Sequence, residues 1–221
     1  MAAPLTVTLT GTGYPRPFKG VAGPGCLVRA PLESSEECMP SALHAHMDEV
    51  ALTQNDTDGE QGAAGSLWRC ARSRELLIQV DCGRGTCMRW SELEVSASMV
   101  DVVLITHLHS DHVSDLFDVL ISRWLLAYDD DVEDADHYTP LLVIGARGVA
   151  AMVRSVLGSM AHDVRRRKEH SQKSFDLEVV VREFDIPAEK GLESFVVFEE
   201  VRCASTSDGG NDYALRRSTM A

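Results

Sequence analysis

The chain has 221 residues, 44% of them hydrophobic and 25% charged, with a formal net charge of −13. This length supports one substantial hydrophobic core and predicts a single domain over residues 1–221, while the negative charge disfavours sequence-independent binding to nucleic acid. Because no apolar run approaches the roughly 20 residues of a membrane span and residues 1–5 lack the basic start of a secretory signal, we expect a cytoplasmic protein, with an organelle left open.

Three strands are predicted in the first third of the chain. Residues 5–10 alternate apolar and polar side chains, residues 26–29 follow a Gly-Pro-Gly turn, and residues 76–80 are mainly apolar. A hairpin of the second and third strands would place everything between them at its tip. That stretch, residues 31–73, is acidic and without sustained periodicity, so we expect a disordered insertion. His44 and His46 within it are interpreted as solvated side chains.

Strands and helices alternate in the rest of the chain. The predicted helices cover residues 91–97, 113–127 and 148–160, and the predicted strands cover residues 102–105, 141–144, 179–181 and 195–198. The strand at 102–105 is apolar throughout, as in strands buried on both faces. Strands in succession, followed by alternating strands and helices, predict an α/β layered fold with a mixed sheet. The basic run at residues 165–168 is interpreted as a solvated helix end.

A histidine-rich segment directly follows the strand at 102–105. Its sequence is Thr106-His107-Leu108-His109-Ser110-Asp111-His112. In an extended segment the side chains of His107 and His109 point to the same side of the backbone. Asp111 and His112 follow where the chain turns into the next helix. All four side chains can converge beyond the carboxyl end of the strand, where α/β sheets place ligand sites. Imidazole and carboxylate ligands suit zinc, iron or manganese, with zinc the first choice.

This segment resembles the T-H-x-H-x-D-H motif of the metallo-β-lactamase superfamily. Three more segments are similar to the ribonuclease Z and arylsulfatase-like branch of that superfamily: Gly11-Thr12-Gly13-Tyr14-Pro15, Asp81-Cys82-Gly83-Arg84-Gly85-Thr86, and Val143-Ile144-Gly145 with Gly148. Ala146 stands where the branch usually has proline. The resemblance covers residues 5–170 apart from the acidic insertion, and it implies a metallo-β-lactamase-like αβ/βα sandwich.

The resemblance also implies a dinuclear site with up to two zinc ions. His107 and His109 would bind the first ion, and Asp111 and His112 would bind the second. Asp111 would in addition be the catalytic proton carrier. Two cations close together lower the pKa of a bridging water and stabilise the leaving oxyanion. Asp81 has two readings that stay open: it accepts the N–H of a ligand histidine, or it caps a turn before a glycine.

The chain departs from the family pattern in its C-terminal part. The family has a ligand histidine near residues 201–208, ahead of a strand that matches residues 212–216; here no histidine is present, and Asp208 lies near its place. His162 and His170 lie in a polar helical stretch and are poor substitutes. The bridging aspartate and last histidine of the family are also missing, so we expect an incomplete C-terminal half and two, one or no bound metal ions.

Three functions stay open. The first is a zinc-dependent hydrolase that resembles ribonuclease Z and cuts a phosphodiester in RNA, near the 3′ end of precursor tRNA. The second is an arylsulfatase-like or small-phosphodiester hydrolase, and Asp115, Asp118 and Trp124 after the motif fit either. The third is an inactive paralogue that acts as a binding module. Dimerisation is common in the resembling family, so a homodimer is also expected.

Overall fold

The structure is a computed structural model. It describes residues 4–31, 47–53, 55, 75–126, 140–170, 176–184, 201–205 and 211–215. Of residues 47–49, 201–205 and 211–215 it describes the backbone alone. Within these residues, no helix is both long enough and apolar enough to cross a lipid bilayer.

Seven strands form the main sheet. They are β1 (Thr6–Gly11), β2 (Gly25–Pro31), β3 (Met47–Thr53), β4 (Glu75–Val80), β5 (Val102–Ile105), β6 (Leu141–Ala146) and β7 (Glu178–Phe184). Their order in the sheet is β1-β2-β4-β5-β6-β7-β3. The pairs from β4 to β7 are parallel, and the three remaining pairs are antiparallel. The predicted α/β class and mixed sheet are confirmed.

Four helices accompany the sheet: α1 (Thr86–Glu92), α2 (Ser110–Val113), α3 (Leu116–Leu126) and α4 (Val149–His170), with a 3-10 turn at Ala97–Met99. Their apolar side chains pack on one face of the sheet and form the larger core. Its buried members include Trp90, Leu116, Leu120, Trp124, Leu157 and Met160 from the helices, with Leu27, Leu77, Val103, Ile105 and Val143 from the strands. Burial of these side chains is the main source of stability.

The opposite face of the sheet carries a second apolar cluster. It consists of Val28, Leu76, Ile78, Val102, Leu142, Ile144 and Val180, all from strands. Adjacent residues of a strand point to opposite faces, so Val102 belongs to this cluster while Val103 belongs to the larger core. The prediction that the strand at 102–105 is buried on both faces is therefore confirmed.

Strand β3 corrects the expectation of disorder across residues 31–73. Residues 26–29 and 76–80 do pair antiparallel, with Cys26 opposite Val80. The chain between them, however, contributes β3 to the far edge of the sheet, where Val50 lies opposite Val181 of β7. Only long-range pairing defines this strand, because its sequence, MDEVALT, alternates weakly. His44 and His46, and the rest of the stretch apart from residues 31 and 55, lie outside the described residues.

The helices also differ from their predicted boundaries. A helix was expected at residues 91–97, but α1 starts five residues earlier, and the chain leaves it through Glu94 in a left-handed conformation (φ 56°). Helix α4 extends ten residues beyond the predicted end at residue 160. Its basic end is solvated as expected, with ion pairs from Arg166 to Glu169 and from Arg167 to Asp163.

The C-terminal part contributes a separate antiparallel pair of strands. They are β8 (Val201–Ser205) and β9 (Asn211–Leu215), with Cys203 opposite Tyr213. Strand β8 falls within the segment 201–208, and β9 overlaps the strand predicted at 212–216, the two segments expected near a later metal ligand. Asp208 and the strand predicted at residues 195–198 lie outside the described residues, so the incomplete C-terminal half stays a prediction.

Candidate metal centre

One edge of the main sheet collects the side chains of interest. Strands β1, β4, β5, β6 and β7 run in the same direction, so their carboxyl ends share this edge. Asp81 follows β4, the histidine segment follows β5, and the turn at Gly148 follows β6. The sheet therefore brings segments that are distant in sequence to one place, as ligand sites in parallel sheets require.

His107 and His109 lie side by side. Nε2 of His107 is 3.1 Å from Nδ1 of His109, and the ring centroids are 4.6 Å apart. His107 is half-buried, whereas His109 is exposed and precedes the first turn of α2. The predicted convergence of these two side chains is confirmed by their geometry.

His112 completes a cluster of three imidazoles. Its ring centroid is 3.9 Å from that of His107. Its Nε2 lies 3.7 Å from Oδ2 of Asp111, whose side chain is buried. The structure thus brings together all four residues that sequence analysis assigned to metal binding.

Asp81 lies directly behind this cluster. Its Oδ2 is 2.7 Å from Nδ1 of His112, and its Oδ1 accepts hydrogen bonds from the backbone N–H and hydroxyl of Thr106. The residue is 6% exposed and has a left-handed backbone (φ 54°), which aspartate tolerates better than most residues. Of its two predicted readings, this geometry matches the one in which the carboxylate contacts a histidine. The contact leaves Nε2 as the free ring nitrogen of His112.

The backbone of His112 is held from the same side. Its carbonyl accepts a hydrogen bond of 2.7 Å from the N–H of Cys82, and the carbonyl of Cys82 accepts one of 3.0 Å from the N–H of Asp115. The turn after β4 is therefore joined to the end of the histidine segment by two backbone hydrogen bonds. Both flank the side-chain contact between Asp81 and His112.

Asp115 caps the N-terminus of α1, a role that was not predicted from the sequence. Its carboxylate accepts hydrogen bonds from the N–H groups of Gly85 and Cys87, at 3.1 and 2.9 Å, in the first turn of α1. These N–H groups have no acceptor within the helix, so a remote carboxylate replaces the usual local cap. Gly85 has a φ of 84°, and no side chain at that position caps the helix. Because Asp115 is 30 residues from Gly85, the sequence around α1 does not indicate that Asp115 caps this helix.

Cys87, Asp115 and Asp118 form a second group of donor atoms, all within 4.8 Å of one another. Burial, followed by the charges of Asp118 and Asp115, raises the pKa of the Cys87 thiol far above its ordinary value. Both oxygens of Asp115 already accept backbone hydrogen bonds, which accounts for this carboxylate without a metal ion. Among the described residues, this group is better explained as a helix cap beside a packed thiol.

The turn after β6 closes the other side of the site. Oε1 of Glu183 accepts hydrogen bonds from the N–H groups of Gly148 and Ala150, at 2.7 and 2.9 Å, and so caps α4. A Cβ at Gly148 would lie 3.1 Å from Cδ1 of Leu108, the residue between the first two histidines. The glycine turn thus makes room for the histidine segment. The turn was predicted from the sequence, whereas the role of Glu183 was not.

The cluster fits a bound metal ion. Two nitrogens on one tetrahedral zinc, each about 2.0–2.1 Å from it, lie roughly 3.3 Å apart, close to the 3.1 Å between His107 and His109. A histidine ligand commonly donates its other ring N–H to a carboxylate, as the contact from His112 to Asp81 allows. Three imidazoles and one carboxylate suit zinc, iron or manganese.

Other predicted positions lie away from the cluster. His162 and His170 are exposed on α4, which starts beside the site and carries them roughly 20 and 30 Å along its axis at 1.5 Å per residue. Trp124 is buried in the core. A cavity of about 430 Å³ lies between β1 and α1, and its lining, which includes Thr12, Gly20 and Arg89, contains no residue of the histidine segment. The candidate metal centre is therefore identified by its ligand-type side chains and not by the volume of a cavity.

Comparison with known families matches the part of the chain that carries the histidine segment. Residues 72–146 match the family model of the metallo-beta-lactamase superfamily. This range contains Asp81, the whole histidine segment and strands β4 to β6. This part of the chain is therefore similar to the metallo-beta-lactamase superfamily.

Among curated proteins, the chain is similar to ribonuclease Z. It is 34% identical to ribonuclease Z of Mycobacterium avium (strain 104) over 166 residues, which make up 75% of this chain and 42% of the relative. It is 33% identical to ribonuclease Z of Mycobacterium bovis (strain BCG / Pasteur 1173P2), with the same coverage. Among solved structures, it is similar to a long-form RNase Z from yeast, with 15% identity, a TM-score of 0.44, and 75% and 17% of the two chains covered. The chain thus spans about two fifths of the length of these curated relatives.

Proposed function

We propose that this chain is a metal-dependent phosphodiester hydrolase of the ribonuclease Z kind. The observation that carries the proposal is the cluster of His107, His109 and His112 with the carboxylate of Asp81 behind it. Similarity to ribonuclease Z supports RNA as the substrate, with cleavage near the 3′ end of precursor tRNA. Zinc as the metal, a homodimer and a cytoplasmic location are parts of the same proposal.

The residues have separate roles in this proposal. His107 Nε2 and His109 Nδ1 would hold one metal ion, and His112 Nε2 and Asp111 would hold the second. When bound, the metal supplies a water of lowered pKa and a positive charge for the leaving oxyanion. Asp111, as the proton carrier, is buried but adjoins the solvent-accessible histidines, so it can exchange a proton with a water at the mouth of the site.

Asp81 would control the protonation of His112. A carboxylate 2.7 Å from Nδ1 retains the ring proton on that nitrogen, which leaves the lone pair of Nε2 directed away from Asp81. Hydrogen bonds from Thr106 orient the carboxylate for this contact. The same arrangement fixes the orientation of the ring for binding a metal ion.

Metal content and turnover test the proposal together. The chain is purified without chelator, its bound metal is counted per chain by mass spectrometry, and hydrolysis of bis-(p-nitrophenyl) phosphate is measured. We expect bound zinc and turnover in the wild type and a large loss of both in His109→Ala. His162→Ala is the matched control, since it removes an exposed histidine remote from the cluster. A metal-free chain whose turnover equals that of His109→Ala would overturn the proposal.

A precursor tRNA then separates the two hydrolase functions. Cleavage at its 3′ end assigns the ribonuclease Z kind, whereas turnover of bis-(p-nitrophenyl) phosphate alone assigns the arylsulfatase-like or small-phosphodiester alternative. One observation supports the third function, an inactive binding module: the sequence between β8 and β9 has no histidine. It predicts a folded chain with neither metal nor turnover.

A further inference from the structure

The loop between β1 and β2 exposes two aromatic side chains. The rings of Tyr14 and Phe18 lie 5.3 Å apart, and the residues are 54% and 52% exposed. Folding therefore leaves a large part of both rings in water, where apolar surface is costly. An exposed aromatic pair that packs on itself, rather than into the core, offers two flat surfaces to a planar partner.

Basic side chains lie in this loop and against its backbone. Arg16 and Lys19 are exposed in the same loop, and Arg84 donates a hydrogen bond of 3.4 Å to the carbonyl of Pro15. Residues 1–32 contain no aspartate or glutamate, although the whole chain has 34 of them. This part of the sequence therefore contributes positive but no negative side chains, which suits an anionic partner.

The loop is fixed beside the candidate metal centre. The N–H of Gly23 donates to the carbonyl of Arg84 at 2.8 Å, and the N–H of Gly83 donates to the carbonyl of Pro24 at 3.2 Å. The N–H of Cys82, the residue before Gly83, donates a hydrogen bond to the carbonyl of His112. The end of the aromatic loop is thus two backbone contacts away from the histidine cluster, at the same edge of the sheet.

We propose that this loop binds single-stranded polynucleotide, with bases stacked on Tyr14 and Phe18 and phosphates held by Arg16, Lys19 and Arg84. Aromatic side chains beside basic ones are the combination that single strands require, because each nucleotide offers a flat base and a negative charge. The proposal rests on the phosphodiester hydrolase function proposed above. It explains how a chain with a net charge of −13 can present a phosphate backbone to its site.

Binding without cleavage tests this proposal. The full chain is titrated into a short fluorescein-labelled oligouridylate in excess EDTA at low salt, and fluorescence anisotropy is recorded. We expect saturable binding that weakens as salt is added. Tyr14→Ala and Phe18→Ala should each weaken binding roughly fivefold or more, as loss of a stacked base does. Phe18→Tyr should bind like the wild type, because it keeps an aromatic ring.

Matched controls use the same substitutions elsewhere. Phe117→Ala removes an aromatic side chain of similar exposure, 48%, outside the loop. Arg16→Glu should also weaken binding, because it replaces a phosphate-binding cation with an anion. Arg165→Glu is its control, because residue 165 is exposed near the remote end of α4. Neither control should change the affinity as much as its partner in the loop. Circular dichroism verifies that each variant is folded.

The outcomes separate this proposal from the hydrolase proposal. Oligouridylate binding that depends on Tyr14 and Phe18, in a chain without turnover of bis-(p-nitrophenyl) phosphate, supports the loop and rejects the hydrolase. Turnover together with no oligouridylate binding, or with equal binding by both alanine variants, rejects the loop alone. An oligodeoxythymidylate titration tells RNA from DNA: weaker binding of DNA assigns RNA, and equal binding assigns either single strand.

Discussion

Oδ2 of Asp81 lies 2.7 Å from Nδ1 of His112, although the two residues are 31 positions apart and follow different strands. The contact depends on the parallel pairing of β4 and β5, which brings both carboxyl ends to one edge of the sheet. Two backbone hydrogen bonds beside it hold the segments in the same register. The fold thereby sets which nitrogen of His112 remains available to a ligand.

Asp81→Asn should weaken metal binding about 10- to 100-fold, the usual effect of losing such a supporting carboxylate. The amide oxygen would stay on the N–H of Thr106, so the amide NH₂ would face Nδ1 of His112 and move the ring proton to Nε2. Competition with a zinc chelator measures the affinity. Asp118→Asn, at an exposed carboxylate of α3, is the control. Equal affinity in the wild type and Asp81→Asn would show that the contact does not position the ring.

Asp115→Ala should lower the free energy of unfolding by about 1–2 kcal/mol, because two N–H groups of α1 lose their acceptor. Asp163→Ala breaks an exposed ion pair with Arg167 and should cost less than about 1 kcal/mol. Urea unfolding followed by tryptophan fluorescence compares the two, since Trp90 on α1 is buried. Equal losses would mean that the cap contributes no more than a surface ion pair.

Ionisation of Cys87 should make the protein less stable in alkaline solution. Burial raises the pKa of this thiol in the folded chain, so the unfolded chain loses the proton first as the pH rises above the ordinary value of 9.0. The stability contributed by the neutral thiol is thus complete below that pH and is lost above it. Cys87→Ala should show a smaller fall in unfolding free energy above pH 9.0. Ser91→Ala, on the same helix and without an ionisable group, should follow the wild type.

Local patterns predicted the parts of the fold that local sequence determines. The apolar run of β5 and the spacing of the histidines each indicated a structure that the protein contains. The alternation of β1 correctly predicted a strand, but its apolar residues Val7 and Leu9 are exposed and its polar Thr10 is buried. Long-range partners decided the rest. Strand β3 is defined by β7, more than 120 residues away, and α1 begins where Asp115 supplies a cap. Neither partner can be identified from the segment that it stabilises.

Gly83→Ala should strongly destabilise the protein and release the aromatic loop from the site. A Cβ at this position would lie 2.5 Å from the carbonyl carbon of Gly23 and 2.6 Å from atoms of Pro24, all of them backbone, so no side-chain rotation can relieve the clash. Strain of this kind costs roughly 1–3 kcal/mol or more. Gly158→Ala is the control, because its Cβ would meet nothing within 4 Å and alanine favours the helix by about 1 kcal/mol. The urea midpoint of unfolding should therefore fall in Gly83→Ala and rise in Gly158→Ala. A Gly83→Ala midpoint at or above that of the wild type would contradict the close approach of the two turns.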